Sequence, residues 1–440
     1  MAFFLKTCYF CLRSTLYFFV LPLTAQKNPS PGNDRPKFRP SGQAPNHKGC
    51  TMKLSLSLAA AVLTLLYSTA QAGIIVDMRG KAVSVPDDPA SVATIDDGFI
   101  EGVMTHLGVI DRVKAIGSWS MKRDYRYVIP SRLGEAREYR GWSTMKYLHP
   151  WLDALPCVNS PQGNIISYET LALAAPDVVL LRVGDTTVGT DREKVQKTVD
   201  TIEALGLPLI VLYSPTWFRT SDLSTMKTEA GIIGELFGQK KKAEALADHL
   251  AETEALIRQR TSSIPEEEKA SVLLLGLRPD IRQKGGAGTV HGRDTPESYI
   301  LEQIVHAKNA FRGSGTSVPM SAEQVYACDP DVIILPTANG YHPPMELCEA
   351  PYYENLQELR AVKSGRVYAL PWSPMNAARR MEYPLDMLII AKAAYPERFA
   401  DINVYEFALR FYQNVYGVDE EKARGLRSTQ LLDWMAESGF

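Results

Sequence analysis

The sequence predicts an α/β fold with two similar Rossmann-like lobes, each built on a central, mostly parallel sheet, joined by one long rigid helix. Three observations support this prediction. A fifteen-residue pattern occurs twice, at residues 167–181 and 321–335, and strands alternate with helices on both sides of residues 222–262. That intervening segment has helical periodicity throughout. We therefore expect a ligand cleft between the two lobes.

The two copies of the repeated pattern align without a gap. Each has a Ser, a Glu two positions later, and a Pro-Asp pair followed by four apolar residues. Ser is a favoured helix N-cap, Glu is stabilised in a first helical turn, and Pro-Asp before an apolar run is typical of a turn into a buried strand. A separation of about 150 residues has the size of a domain and exceeds solenoid periods. The pattern thus predicts lobes at residues 73–221 and 263–440.

The amino-terminal residues precede the predicted fold. Residues 52–72 contain a basic start, an apolar stretch and an Ala-Gln-Ala end, which is the pattern of a secretory signal peptide. We expect a mature chain from Gly73, exported to the periplasm and without a lipid anchor, because no Cys follows the cleavage site. Residues 1–51 are interpreted as an over-extended start, disordered or not translated; the alternative is a membrane anchor in the first 25 residues.

The net charge bears on possible partners, and the cysteines bear on a possible disulfide. The formal net charge is −2 and no long basic run is present, so nucleic acid is not an expected partner. Three cysteines follow the predicted leader, namely Cys157, Cys328 and Cys348. Export permits a Cys328–Cys348 disulfide, and two buried free thiols are the alternative.

The elements of the first lobe follow from local patterns. An alternating segment with a turn at Arg79-Gly80 predicts a hairpin over residues 74–85, and Gly108 and Gly206 each close a predicted helix. The remaining predictions are strands at 91–95, 113–116, 178–181 and 209–212, and helices at 99–107 and 191–205.

The linker and the second lobe follow in the same way. Residues 222–262 are predicted to form the interlobe helix, with a kink or brief break at Gly238. The second lobe is predicted to contain strands at 270–275, 332–335 and 365–370 and a helix at 298–305. Residues 381–440 are helical and amphipathic, and we expect them to pack on the outside of the second lobe.

Aromatic and basic residues are concentrated in the segments that follow the predicted strands. Ligands of open parallel sheets bind beyond the carboxyl ends of the strands, and aromatic walls with guanidinium groups suit a bulky anionic or ring-bearing ligand. For the tryptophans the alternative is core packing, and for Arg182 it is a surface ion pair. At most one of the adjacent Arg379 and Arg380 is expected to face the cleft. The predicted ligand-binding residues are Trp119, Arg182, Tyr213, Trp217, Arg219, Trp372 and Arg379.

Catalytic and metal-binding signatures are absent from the sequence. It has no Gly-x-Ser-x-Gly elbow, no His-Glu-x-x-His motif and no Cys-x-x-Cys pair. The histidines are scattered without metal-ligand spacing. We therefore predict no catalytic residues, no metal ligands, no cofactor and no enzymatic activity.

These residues resemble the periplasmic substrate-binding proteins of ABC importers for iron-siderophore complexes, haem and cobalamin, whose lobes are joined by a single rigid helix. The resemblance covers essentially all of residues 73–440. It includes the Asp-x-x-Gly-x-x-Val-x-Val-Pro motif at 77–86, the His-Leu-Gly-Val-Ile-Asp-Arg-Val motif at 106–113 and the Ser-Gly-Arg-Val-Tyr motif at 364–368. Residues 119–164 match no standard family pattern and are expected to cap the cleft.

The resemblance implies a function for the repeated glutamates. In the family, a glutamate on each lobe docks onto arginines of the membrane permease, which here implies docking by Glu169 and Glu323. Such charge pairs favour orientation and encounter more than raw affinity. The alternative is that each carboxylate only stabilises its own helix through the dipole.

The leading hypothesis is a monomeric periplasmic receptor that carries a metal chelate to an inner-membrane ABC permease. A ferric siderophore is the first choice of ligand, and cobalamin or haem is the second. One competing hypothesis is a tetrapyrrole chelatase, for which His291 and Asp185 are the nearest candidate groups. Another is a sensor subunit that binds a chelate and reports to a membrane receptor.

Overall fold

A computed structural model describes residues 72–141, 143–159, 165–185, 187–277, 281, 287–336, 343–372 and 380–440. The predicted over-extended start and the predicted leader before Ala72 lie outside the described residues. Among the helices that the structure does describe, none is both long enough and apolar enough to cross a membrane.

In the described residues of the first lobe there are eight strands and four helices, with short 3₁₀ turns between some of them. In chain order they are β1 (Ala72–Val76), β2 (Ala82–Pro86), β3 (Val92–Ile95), α1 (Phe99–Leu107), β4 (Val113–Ile116), β5 (Tyr125–Ile129), β6 (Arg137–Gly141), α2 (Thr144–Leu148), α3 (Tyr168–Ala174), β7 (Val178–Val183), α4 (Arg192–Ala204) and β8 (Leu209–Tyr213). The 3₁₀ turns are Ile110–Arg112, Trp119–Lys122, Pro150–Ala154 and Pro215–Trp217.

A four-stranded parallel sheet in the order β4-β3-β7-β8 forms the centre of this lobe. Its strands are almost wholly apolar and buried, as expected for a parallel sheet covered on both faces. The predicted amino-terminal hairpin is confirmed as β1 and β2, with Gly80 at a φ of 77° in its turn. Every predicted strand of the lobe is present to within two residues at either end.

The linker contains two helices, α5 (Thr225–Leu236) and α6 (Lys240–Thr261). The break lies at Gly238, as predicted, and its φ of 64° is left-handed. The prediction of one rod is wrong, however, because the chain reverses at this break and the two helices pack antiparallel. Lys227 of α5 forms an ion pair with Asp248 of α6. The 22 residues of α6 span about 33 Å at 1.5 Å per residue, and they lead into the second lobe.

The second lobe repeats the plan of the first and adds two antiparallel strands. Its elements are β9 (Ser271–Gly276), β10 (Gly288–Val290), α7 (Pro296–Tyr299) with a π-helical continuation (Ile300–Ile304), β11 (Lys308–Asn309), β12 (Val318–Met320), α8 (Ala322–Cys328), β13 (Val332–Leu335), α9 (Pro344–Glu349), α10 (Arg360–Lys363) and β14 (Val367–Ala369). Further 3₁₀ turns lie at Glu266–Glu268, Pro351–Leu356 and Pro396–Phe399.

The parallel strands of the two sheets correspond one to one. In the second sheet β11, β9, β13 and β14 take the places of β4, β3, β7 and β8, and β10 and β12 extend it antiparallel. The register corresponds as well, since Val92 pairs with Val178 in one lobe and Val272 with Val332 in the other. The duplication predicted from the repeated pattern is therefore present in the sheets.

Four carboxyl-terminal helices follow: α11 (Tyr383–Ala394), α12 (Val404–Tyr416), α13 (Glu420–Thr429) and α14 (Trp434–Ser438). These helices pack on the second lobe, as predicted, and they also pack on the first. The ring of His106 in α1 hydrogen-bonds to the carbonyl of Val415 in α12 at 2.7 Å. One continuous apolar core includes Val92 and Leu180 of the first sheet and Val272 and Ile334 of the second. The lobes thus share a core across α5, α6 and α11.

The three described cysteines are free, half-buried thiols, so the Cys328–Cys348 disulfide considered from sequence is not formed. Cys328 ends helix α8, whereas Cys348 lies in α9. Burial raises the pKa of both thiols, which lowers their reactivity towards oxidation.

Candidate functional site

The repeated unit folds in the same way in both lobes. The Ser167 hydroxyl accepts a hydrogen bond from the Thr170 amide at 3.2 Å, and the Ser321 hydroxyl accepts one from the Gln324 amide at 3.4 Å. These caps begin α3 and α8, as predicted. The carboxylates of Glu169 and Glu323 are consequently exposed in equivalent first turns.

The carboxyl-terminal end of the repeated unit also has the same structure in both lobes. Both helices end on a left-handed residue, Ala175 with a φ of 41° and Asp329 with a φ of 32°, at the same position of the pattern. The Asp177 carboxylate then accepts the Ser91 amide at 2.9 Å, and Asp331 accepts the Ser271 amide at 2.8 Å. Each Pro-Asp turn therefore binds its helix to the first parallel strand of its own lobe. This holds the two glutamates at matching places on the two lobes.

A buried charge cluster lies at the carboxyl ends of β3 and β7. Arg182, whose side chain is fully buried, donates two hydrogen bonds to Glu229 of α5, at 2.6 and 3.1 Å. Its guanidinium also lies 3.7 Å from Asp96 and 4.2 Å from the ring centre of Phe99. The structure therefore places Arg182 in an internal ion-pair network. The alternative considered from sequence was also an ion pair, but one at the surface, whereas this one is buried. A direct ligand contact by Arg182 would require these ion pairs to open.

The acidic groups of this cluster have raised pKa values. Burial, with the charge of Asp96, raises the pKa of Glu101 to about 8, and burial raises the pKa of Glu229 to about 7 although Arg182 opposes the shift. Burial also raises the pKa of Asp185, and a hydrogen bond with Asp96 adds to the effect. Burial disfavours the ionised form of a carboxyl group. Burial thus favours the protonated form of Glu101 and Asp185, while Glu229 stays paired with Arg182.

Asp97 connects the two lobes. Its Oδ1 accepts hydrogen bonds from Ser118 at 2.6 Å and Ser120 at 2.7 Å, and its Oδ2 accepts one from Arg380 at 3.0 Å. All four side chains are buried. The adjacent Arg379, predicted as a ligand contact, lies outside the described residues, so that prediction stays open.

Trp119 lies where it was predicted, directly after β4, and it is half-buried. The exposed Arg123 lies over its ring, with 4.7 Å from the guanidinium carbon to the ring centre, and 5.3 Å from the ring centre of Tyr125. Tyr125 in turn contacts Trp372 edge to face, at 5.0 Å between ring centres. This row of side chains runs from the end of β4 in one lobe to the segment after β14 in the other.

Trp372 is fully buried beneath the β5–β6 hairpin, which matches the core-packing alternative considered from sequence. A Cβ atom at Gly141 would lie only 3.0 Å from its ring, so the hairpin covers the indole closely. The predicted ligand contact by Trp372 has no exposed surface here, because the hairpin within residues 119–164 covers the indole.

Tyr213 and Trp217 form a second aromatic group, after β8. Their rings stack at 4.9 Å with an angle of 4° between planes, and Arg192 lies 4.3 Å over the Trp217 ring. Arg219 is exposed nearby in the chain. Because β4 and β8 are opposite edges of the sheet, three strand spacings of about 4.8 Å separate this group from Trp119, roughly 14 Å. Trp119 on one side and Tyr213 with Trp217 on the other therefore form two separate aromatic groups.

Several residues of the site were missed by sequence reasoning. The ring contacts of Arg123, Tyr125 and Arg192 could not be predicted from sequence. They form only because the hairpin places Arg123 against Tyr125 and α4 places Arg192 over Trp217. Arg380 was considered as the neighbour of Arg379 and not chosen. From sequence, Asp97 is recognisable only as an acidic residue that follows a predicted strand.

The described residues include no group of three or more His, Cys, Asp or Glu side chains arranged to hold a metal ion. Asp185, one of the two groups considered for a chelatase, accepts the Thr187 and Val188 amides at 2.8 and 2.9 Å. The other, His291, is buried in the second lobe 3.6 Å from Glu297. Asp185 therefore has hydrogen-bond partners in its own lobe, whereas the ring nitrogens of His291 hydrogen-bond to no described residue.

Two similar lobes whose strand ends adjoin across Asp97–Arg380 and Tyr125–Trp372 define a two-lobed solute-binding architecture. The sequence matches the family described as "Periplasmic binding protein" over residues 133–374. This match covers more than half of the chain, and the protein therefore belongs to that family.

Individual relatives are distant in sequence. The chain is 24% identical over 238 residues to the "Uncharacterized ABC transporter substrate-binding lipoprotein YvrC" of Bacillus subtilis, covering 54% of this chain and 67% of that protein. A periplasmic solute binding protein of Veillonella parvula superposes with a TM-score of 0.62 and 21% identity, over 84% of this chain and 100% of that one. MolA of Haemophilus influenzae, bound to molybdate, gives a TM-score of 0.55 and 17% identity, over 79% and 98%. Both solved structures share the fold.

Proposed function

We propose that this protein is the periplasmic substrate-binding component of an ABC importer, which captures a metal chelate and delivers it to an inner-membrane permease. The observation that carries this proposal is the pair of exposed glutamates, Glu169 and Glu323, at equivalent places on the two lobes. A surface with this pseudo-symmetry suits a permease that presents matching basic groups on two halves. The description of YvrC as an ABC transporter substrate-binding protein supports the same role.

An iron-siderophore complex is the proposed ligand, with cobalamin or haem as the alternative in the same class. The aromatic and guanidinium groups around Trp119 and Trp217 support a bulky, ring-bearing or anionic ligand. The molybdate bound by MolA is much smaller, so the shared fold alone does not select the solute. The choice of ligand is therefore proposed to depend on the side chains between the lobes.

The docking role is tested by the double substitution Glu169→Ala and Glu323→Ala. We expect uptake of the chelate by cells to be lost while the affinity of the purified protein for it stays unchanged, since both carboxylates are exposed and neither belongs to the buried cluster. The matched control is Glu193→Ala with Glu406→Ala, which removes exposed first-turn glutamates from α4 and α12. Uptake by the control should be normal.

Two results would contradict the docking assignment. One is loss of ligand affinity in the double variant, and the other is normal uptake by it. Ligand identity is tested separately by native mass spectrometry and an absorption spectrum of the protein purified from its own periplasm. Ferric siderophores, haem and corrinoids absorb at different wavelengths, and a colourless, ligand-free protein that binds none of them would contradict the proposed function.

A further inference from the structure

A groove lies along the linker, at the place where both lobes meet it. It has a volume of about 340 Å³ and is formed by α5, α6 and the start of α11. Its lining includes Phe99 of the first lobe, Met381 of the second lobe and Leu250 of α6. A volume of this size is typical of small-molecule sites. A molecule in the groove would therefore contact both lobes and the linker.

Three alanines of α6 provide room for the groove. Ala247, Ala251 and Ala255 recur every four residues, so they lie on one face of the helix, and all three line the groove. Ala247 is buried, whereas Ala251 and Ala255 are exposed, so the groove is open to solvent along part of its length. Displacing water from this mostly apolar lining favours the binding of an apolar molecule.

The charged side chains of the groove already have partners within the protein. Four of its described lining residues are charged, two of each sign. The pairs that they form are Lys227 with Asp248, Glu254 with Arg258 at 2.8 Å, and Asp222 with the Ser224 amide at 2.9 Å. A charged ligand would have to displace one of these partners or enter without a counter-charge. The groove therefore favours an uncharged molecule.

Tyr383 supplies the polar group among the buried lining residues. It is only 5% exposed, and its hydroxyl forms no hydrogen bond to any residue that the structure describes. Burial, with the charge of Glu254, raises its pKa, so the hydroxyl keeps its proton and can donate it in a hydrogen bond. Buried hydroxyls are usually hydrogen-bonded, because leaving one without a partner costs free energy. An acceptor oxygen on a bound molecule would satisfy it.

We propose that this groove is a binding site for an uncharged, largely apolar molecule with one acceptor oxygen, such as a ketone, which accepts a hydrogen bond from Tyr383. The site goes beyond the proposed function, because it is separate from the predicted chelate contacts. None of those contacts that the structure describes lines the groove. The molecule would bind with or without a chelate in the cleft.

The test measures the affinity of the native protein for three aromatic probes by saturation-transfer NMR, in the absence of any chelate. The probes are acetophenone, benzoate and ethylbenzene. We expect acetophenone to bind most tightly, because benzoate brings a charge into the groove and ethylbenzene lacks the acceptor oxygen. Tyr383→Phe removes only the hydroxyl. It should weaken acetophenone binding about twofold to tenfold, which corresponds to one net hydrogen bond, without weakening ethylbenzene binding.

A matched pair of variants locates the probe. Ala251 and Ala245 are both exposed on α6, but only Ala251 lines the groove. Ala251→Leu should fill the groove and weaken acetophenone binding by more than about tenfold, since the probe loses its space. Ala245→Leu should keep the affinity within about twofold of the native value. Circular dichroism of each variant checks that the helices remain folded.

Several outcomes would overturn this inference. They are an affinity for benzoate equal to that for acetophenone, equal acetophenone affinities of Ala251→Leu and Ala245→Leu, an acetophenone affinity unchanged by Tyr383→Phe, and no binding of any probe. The receptor role stands in each of these cases, because chelate affinity and uptake are measured in separate experiments. Conversely, a protein that binds acetophenone in the groove but no chelate would retain this site and lose the proposed function.

Discussion

At the scale of residues, Arg182 shows that a local sequence pattern does not reveal the partner of a buried charge. It follows an apolar run within the repeated unit, and a basic residue at a strand end is a reasonable ligand contact. Its partner Glu229 lies 47 residues later in α5, and only the folded linker brings the two together. A sequence contains no local signal for a buried pair of this kind, whereas the Ser caps and Pro-Asp turns were predictable because their hydrogen bonds are local.

The raised pKa of Glu101 gives a pH-dependent stability. The ordinary value of 4.5 rises to about 8 in the folded protein, mainly through burial, so the folded state keeps a proton that the unfolded chain releases. The contribution of this group is complete below pH 4.5 and is lost as the pH rises towards 8, at about 1.4 kcal/mol per pH unit for one proton.

We therefore expect Glu101→Gln to flatten the decline in the free energy of unfolding between about pH 5 and pH 8. Gln retains an acceptor for the Thr94 hydroxyl, so the hydrogen bond between these side chains is preserved. Urea denaturation of both proteins across this pH range checks the prediction. Parallel pH profiles for the native protein and the variant would show that Glu101 does not take up the proton.

At the scale of elements, the sequence predicts the strands and helices whose periodicity is regular and whose ends are marked by glycine or proline. The parallel strands, α1, α4 and their glycine ends follow from local patterns, and their observed bounds differ by only a few residues. The reversal between α5 and α6 was missed because both helices keep the same periodicity, and Gly238 alone does not set the angle between them. Only the packing of one helix on the other determines that angle.

Two glycines of α5 test this packing. A Cβ at Gly234 would lie 2.5 Å from the Ala243 Cβ and 3.0 Å from the Lys240 backbone, whereas a Cβ at Gly231 has its nearest atom at 4.0 Å. We expect Gly234→Ala to lower the free energy of unfolding by about 1–3 kcal/mol, since α5 and α6 must separate. Gly231→Ala should be neutral or stabilising by up to about 1 kcal/mol through helix propensity. Equal effects of the two substitutions in urea denaturation would contradict the close approach.

The hairpin was also beyond sequence reasoning, because its partners Glu349 and Trp372 belong to the other lobe. Removing the Glu349 carboxylate by Glu349→Ala should loosen the tip, where Leu133 is 80% exposed. We expect faster trypsin cleavage at Arg132 and Arg137, with the free energy of global unfolding lowered by less than about 1.5 kcal/mol. Glu138→Ala, which removes an exposed carboxylate from the same hairpin, is the control and should leave cleavage at Arg132 unchanged.

At the scale of the whole molecule, contacts additional to the linker join the lobes in the described part of the chain. Among them are the Asp97–Arg380 ion pair, the hairpin tip on Glu349, and α12 against α1. One apolar core passes through both sheets. The repeated sequence pattern alone suggests two separate lobes. The carboxyl-terminal helices and the β5–β6 hairpin are additions to the repeated plan, and each of them contacts both lobes.

The shared core predicts that the two lobes unfold together. Asp97→Asn removes the charge that compensates the buried Arg380, and breaking a buried pair on one side costs roughly 3–5 kcal/mol. Because β7 and β13 contribute to the same core, amide hydrogen exchange in both strands should accelerate by the same factor, although Asp97 belongs to the first lobe. Hydrogen-exchange mass spectrometry of peptides covering Val178–Val183 and Val332–Leu335 measures both rates in one experiment. Faster exchange in β7 alone would show that the lobes unfold separately, and that the contacts between them are weaker than the continuous core implies.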